Sequence, residues 1–181
     1  GGYYYFMFQY PHDYPFRPPI VTYHTNDGVT RFNPNLYRSG KVCVSILNTW
    51  KGPQWTSCQS ISSVLLCLCG SVLNDNPLLN EPGVTETHRD FANYLEILKY
   101  KNFDVAIGDM LTSEYIQVNF TTLYMEMVKH FLENYDKINA NLTASQCANK
   151  KIVINLYKMH ADINYERTRG KLANTYSELK N

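Results

Sequence analysis

The sequence predicts an α+β domain, because strand-like segments crowd the first fifty or so residues, helical periodicity takes over from Thr56, and no repeat or long linker interrupts the change. YYYFMFQY (residues 3–10) is aromatic and β-favouring on both faces, so a well-covered strand ending at Pro11 is expected. Pro11, Pro15, Pro18 and Pro19 each remove a backbone donor and fix a dihedral, which makes PHDYPFRPPIV a rigid extended connection. Residues 20–24 (IVTYH) read as a second strand, TNDG as a turn using Gly28, and residues 41–47 (KVCVSIL) as a third strand that completes an antiparallel meander. Thr56 or Ser57 is the expected N-cap of a core helix in which Ile61, Val64, Leu65, Leu68 and Val72 recur at helical spacing until NDNP stops the run. Further helices are expected over residues 88–111, where Phe91, Tyr94, Leu95 and Leu98 share a face, and over 121–138. Residues 139–181 read as a polar, weakly patterned and partly helical extension.

A chain of 181 residues supports one sizeable core, and 44% hydrophobic with 18% charged residues excludes wholesale disorder. A net charge of +1, with no basic run longer than Lys150-Lys151, lacks the cationic surface that nucleic-acid binding needs. The longest apolar run, residues 61–73, is interrupted by Ser62, Ser63, Gly70 and Ser71 and falls short of the ~20 residues of a membrane span, so a soluble protein is expected. Five cysteines in no repeated framework, with no signal-like N-terminus, read as reduced thiols of a cytoplasmic or nuclear protein. In that compartment the glycosylation patterns at Asn119 and Asn141 carry no meaning. The chain opens on Gly1 and enters a strand-like run at once, so it reads as a fragment beginning inside a domain.

The chemical question centres on Cys43, at the head of an apolar run and eight residues after Asn35 in RFNPNLYRSGKVCVSIL. A hydrolytic cysteine needs a histidine to take its proton, and His12, His24, His88, His130 and His160 all lie outside this stretch. Cys67 and Cys69 are two apart on a helix and cannot chelate one ion together, so no metal site is expected. Passing an acyl group from thiol to thiol and then to an amine needs less: a positioned thiol and a donor for the developing oxyanion. An asparagine amide held by the turn at Pro34 suits that donor role.

Four motifs in order resemble the catalytic core of the ubiquitin-conjugating enzymes over residues 1–138, most closely the Z type within that family. They are YPFRPP, NPNLYRSGKVCVSIL, WTSCQSISSVLL and NDNPLLNEPG. The resemblance implies the ubiquitin-conjugating fold: a meander packed against a crossover helix, followed by C-terminal helices, with the first helix and first strand missing before Gly1. An open sheet edge and inefficient loading are expected of such a fragment. It implies an enzyme that accepts ubiquitin or a ubiquitin-like modifier from an activating enzyme, the non-standard one in the Z type, and passes it to substrate lysines with a ligase. No bound cofactor is implied, since ATP is consumed upstream by the activating enzyme.

By the same resemblance Cys43 is the thioester nucleophile and Asn35 the amide that supports the active-site loop and the oxyanion. Asn33 replaces the family's structural histidine, and an amide can keep the loop hydrogen bonds while accepting no proton. Asn76 or Asp75 falls where an acid near the attacking lysine is expected. Phe16 matches the exposed aromatic that meets ligases; Ser57 and Cys58 stand in the other half of that interface, where the family has proline and alanine. Leu66 falls where the crossover helix meets the carried modifier, and Trp50 and Trp55 buttress the segment between. Two other readings stand beside this one, a catalytically silent ubiquitin-binding or scaffold module on the same fold and a cysteine hydrolase.

Overall fold

Strands β1 (Phe6–Gln9) and β2 (Ile20–Tyr23) pair antiparallel, Phe6 opposite Tyr23 and Gln9 opposite Ile20, in a computed structural model that describes residues 1–180. β1 is shorter than the aromatic run, half-buried along most of its length, and among the described residues paired in the sheet with β2 alone. The proline-rich connection is pinned by the Trp55 indole, whose Nε1–H donates to the Pro15 carbonyl at 2.7 Å.

Residues 41–47 do not form the expected third strand. Lys41 and Val42 make isolated antiparallel bridges to Thr22 and Leu36, and Ser45–Leu47 wind into a 3-10 turn. The backbone groups a ladder would use are taken locally. The Thr49 hydroxyl donates to the Val42 carbonyl at 2.9 Å and accepts from the Val44 N–H at 3.0 Å, while Asn35 Nδ2 donates to the Cys43 carbonyl. Gly40 is required where the chain crosses β2: its φ is +87°, its carbonyl accepts from Tyr23 N–H at 2.7 Å, and an added Cβ would lie 2.9 Å from Thr22 Cγ2.

Helix α1 (Ile61–Cys67) starts later than its sequence suggests. Ser60, not Thr56 or Ser57, is the N-cap, and its N–H donates to Ser63 Oγ at 3.3 Å. The helix continues as a π-turn, Leu68–Val72, closed by Leu73 N–H on the Leu68 carbonyl at 2.8 Å. Val64, Leu68 and Val72 are buried as their spacing predicts; Leu65 and Leu66 face outward. After a 3-10 turn at Pro77–Asn80 come α2 (Phe91–Phe103), a π-turn at Asp104–Asp109, α3 (Met110–Thr112), α4 (Glu114–Asn119) and α5 (Thr121–Ala144).

The C-terminal stretch is more ordered than its polarity suggested. Strands β3 (Lys150–Val153) and β4 (His160–Ile163) form an antiparallel hairpin, and α6 (Tyr165–Lys180) follows. The mixture of helices with small antiparallel sheets and C-terminal helices is the α+β architecture expected.

The chain divides into two compact units. Among the described residues, one comprises Tyr4–Leu95 with the hairpin tip Ile154–Met159; the other comprises Gly1–Tyr3, Glu96–Val153 and residues 160–180. In the second, α5 packs on α6, Tyr135 stacks on Tyr176 with centroids 4.0 Å apart, and the buried Tyr100 hydroxyl accepts from Thr168 Oγ1 at 3.1 Å and Arg167 Nη2 at 3.0 Å. In the first, the tip is held by Leu156 N–H on Asp90 Oδ2 at 3.0 Å, by Arg38 Nη2 on the Tyr157 carbonyl at 2.6 Å, and by the Tyr157 hydroxyl donating to the Glu81 carboxylate. Burial and the neighbouring carboxylate push the Tyr157 phenol well above its usual range, so it stays a donor at neutral pH.

Candidate active site

Asn33, Asn35 and Cys43 come together. Cys43 N–H donates to the Asn35 carbonyl at 2.8 Å, and Asn35 Nδ2 donates back to the Cys43 carbonyl at 2.5 Å, so the two residues clasp each other through both main chain and side chain. Asn33 is wholly buried. Its Nδ2 donates to the Val72 carbonyl at 2.7 Å and its Oδ1 accepts from Asn35 N–H at 2.7 Å, so it ties the turn to the end of the α1 π-turn. Those bonds need one donor and one acceptor but no base that takes up a proton, which is why an amide can fill the position.

The thiol is covered. Cys43 is 3% exposed, and its Sγ–H donates to the Thr49 carbonyl at 3.2 Å, the one hydrogen bond of the thiol among the described residues. No histidine hydrogen-bonds Sγ among the described residues, and no group of three or more His, Cys, Asp or Glu side chains is gathered there that could hold a metal ion. A cavity of about 290 Å³ is lined by Asn35 and by Val44, the residue after Cys43, together with Ser45, Trp50, Cys67, Ser71, Val72 and Asn80. The 3-10 turn that follows Cys43 packs against α1.

Two residues at this site escaped the sequence reading. Thr49 wraps Cys43: its hydroxyl staples the peptides on either side of that residue and its carbonyl holds the thiol. Asn80 lines the cavity, with Nδ2 donating to Asn35 Oδ1 at 3.0 Å and to the Ser71 carbonyl at 2.7 Å. The NDNPLLNEPG motif contained Asn80, but nothing local distinguishes it from Asn74 or Asn76.

The family model described as ubiquitin-conjugating enzyme matches residues 1–102, more than half of the chain. The chain belongs to the ubiquitin-conjugating enzyme family. Its curated relatives include ubiquitin-conjugating enzyme E2 Z of Danio rerio, 45% identical over 141 residues covering 75% of this chain and 42% of the relative. E2 Z of Homo sapiens is 45% identical over 139 residues, covering 75% of this chain and 38% of the relative. The probable ubiquitin-conjugating enzyme E2 23 of Arabidopsis thaliana is 49% identical over 86 residues, 45% of this chain and 8% of the relative. This chain thus spans 38% to 44% of the length of the E2 Z relatives.

On this member of the ubiquitin-conjugating enzyme family the remaining candidate residues, Trp55 apart, fall at the surface. Phe16 is 79% exposed between prolines, and Ser57 and Cys58 are exposed in the loop before α1. Leu66 is 74% exposed on α1, while Trp55 is buried and Trp50 exposed at the cavity. Asp75 and Asn76 are exposed, and neither side chain hydrogen-bonds to Cys43 or Asn35 among the described residues; Asn80 makes that link instead. No helix among the described residues is long and apolar enough to cross a membrane.

Proposed function

We propose that this chain carries ubiquitin, or a ubiquitin-like modifier, as a thioester on Cys43 and transfers it to substrate lysines. The reciprocal clasp between Asn35 and Cys43 carries the reading: it sets an amide with two N–H groups against the peptide of a thiol that has no hydrogen-bonded histidine. Family membership and the E2 Z relatives support the same activity.

In the first step Cys43 Sγ attacks the modifier thioester on the activating enzyme. A new C–S bond forms, the old one breaks, and the activating enzyme's cysteine leaves as a thiol, the proton passing through solvent. The Cys43–Thr49 hydrogen bond opens for this attack, since the lone pair must face the incoming carbonyl. In the second step a lysine Nζ attacks the Cys43 thioester, the C–N bond forms, the C–S bond breaks, and the amine proton goes to water. Asn35 Nδ2 has one N–H on the Cys43 carbonyl and a second that meets the oxyanion. A good leaving group makes position, rather than a strong base, the main requirement.

In this reading residues 1–138 form the conjugating core and 139–181 an extension. Asn33 supports the loop, Asp75 or Asn76 meets the incoming lysine, Leu66 contacts the carried modifier, and Phe16 with Ser57 and Cys58 contacts ligases. The chain needs no cofactor of its own, ATP being spent by the activating enzyme, and it works in the cytoplasm or nucleus, where its five free cysteines stay reduced.

The test is transfer. The protein is charged with ubiquitin by activating enzyme and ATP, the activating enzyme is then quenched, and free lysine is added. Ubiquitin should leave the adduct as a lysine conjugate, and Asn35→Ala should slow that step by about 100-fold, the size of losing one oxyanion donor. A charged protein that never releases ubiquitin to lysine, with Cys43 intact, contradicts the transferase reading and favours a silent module.

A further inference from the structure

We infer that Asn80 is a positioning residue, which fixes which end of the Asn35 amide faces Cys43; this rests on the transfer chemistry proposed above. An asparagine side chain is nearly symmetric in shape, and a half-turn about its last bond exchanges a donor for an acceptor at little steric cost. Asn35 is useful to Cys43 only with Nδ2 inward. The Cys43 carbonyl, which can only accept, favours that orientation, and the partner at the other end of the amide reinforces it. Asn35 Oδ1 accepts from Asn80 Nδ2 at 3.0 Å, and a flipped Asn35 would set two N–H groups against each other there and two carbonyl oxygens against each other at Cys43.

Asn80 can impose this because its own orientation is not free. The same Nδ2 donates to the Ser71 carbonyl at 2.7 Å, and a carbonyl can only accept. Ser71 lies in the π-turn Leu68–Val72, where the widened ladder and the end of the helix leave carbonyls without helical partners. The next carbonyl, of Val72, takes Asn33 Nδ2 in the same way. Orientation therefore passes from the Ser71 backbone to Asn80, from Asn80 to Asn35, and from Asn35 to the peptide of Cys43. Asn80 touches neither the thiol nor the acyl group, so its effect should appear in transfer through Asn35.

The experiment compares wild type, Asn80→Ala, Asn80→Asp, Asn35→Ala and the double variant Asn35→Ala/Asn80→Ala. Charging is measured with ubiquitin, activating enzyme and ATP, and discharge with free lysine. The ratio of discharge rate to charging rate should fall about tenfold in Asn80→Ala. Asn80→Asp keeps the side-chain shape and presents only acceptors; the ratio should fall at least as far. The double variant should discharge no more slowly than Asn35→Ala alone. A ratio unchanged in Asn80→Asp, or an equal additional loss when Asn80→Ala is placed on Asn35→Ala, overturns the inference. A wild-type protein that is never charged would instead overturn the transferase reading on which it rests.

Discussion

Cys43 is the one buried thiol of the five: Cys58 and Cys69 are exposed, Cys67 and Cys147 intermediate. Access alone would therefore direct a small electrophile away from the proposed nucleophile. Brief treatment of the native protein with a small alkylating reagent should label Cys58 and Cys69 before Cys43, read by peptide mass mapping; first labelling at Cys43 would show that Thr49 does not cover it. His24, just beyond β2, gives a second residue-scale prediction. Burial pushes its pKa below the ordinary histidine value, so the folded chain binds fewer protons than the unfolded one as pH falls through about 6.5. Its contribution to stability is present above that value and is lost below it. His24→Gln should flatten the decline in urea midpoint between pH 7.5 and pH 5.5, and an undiminished decline would assign the acid sensitivity to other groups.

At the scale of elements, α1 with its π-turn faces both ways. Leu68 is 1% exposed and Leu66 is 74% exposed, so Leu68→Ala should cost about 2–5 kcal/mol of unfolding free energy. Leu66→Ala should stay within about 0.5 kcal/mol of wild type by the same denaturation while slowing discharge to lysine, and a large stability loss there would mark it as core. The segment after Cys43 is as specific. Thr49→Val keeps the shape and strands the Val44 N–H and Val42 carbonyl, a loss of about 1–3 kcal/mol of unfolding free energy read by urea denaturation. The helix face was legible in Val64, Leu68 and Val72, which repeat at helical spacing, though Ile61 and Leu65 of the same pattern lie exposed; Asn35 and Cys43 were legible from a turn and an eight-residue interval, and Asn33 through the family resemblance. The third strand was misread because β-favouring residues say nothing of a threonine that returns to claim the ladder groups. Asn80 escaped for a related reason: its partner Asn35 lies 45 positions away, joined only by folding.

Across the whole molecule, the hairpin of β3 and β4 was the least legible feature, since four-residue strands carrying Lys150, Lys151, His160 and Asp162 look like polar loop. Its tip nonetheless belongs to the unit that holds Cys43, where Tyr157 bonds to Glu81, the neighbour of Asn80. Two consecutive non-glycine residues at its turn, Tyr157 and Lys158, have φ of 57° and 51°, conformations that such residues adopt only when surrounding contacts hold them. Tyr157→Phe removes the donor to Glu81 and should lower stability by about 1 kcal/mol in urea unfolding; an unchanged midpoint would show the bond contributes nothing net.

The central claim is that a buried cysteine, chosen by its amide neighbour rather than by its exposure, carries the modifier. Site mapping of the adduct tests it most directly. After incubation with ubiquitin, activating enzyme and ATP, the protein is resolved by intact mass without reducing agent, and the adduct is mapped among the five cysteines. The predicted result is one ubiquitin on Cys43, removed by thiol, absent in Cys43→Ala, and resistant to thiol as an oxygen ester in Cys43→Ser. An adduct that persists in Cys43→Ala or maps to Cys58 or Cys69, or no adduct with any activating enzyme, would contradict it.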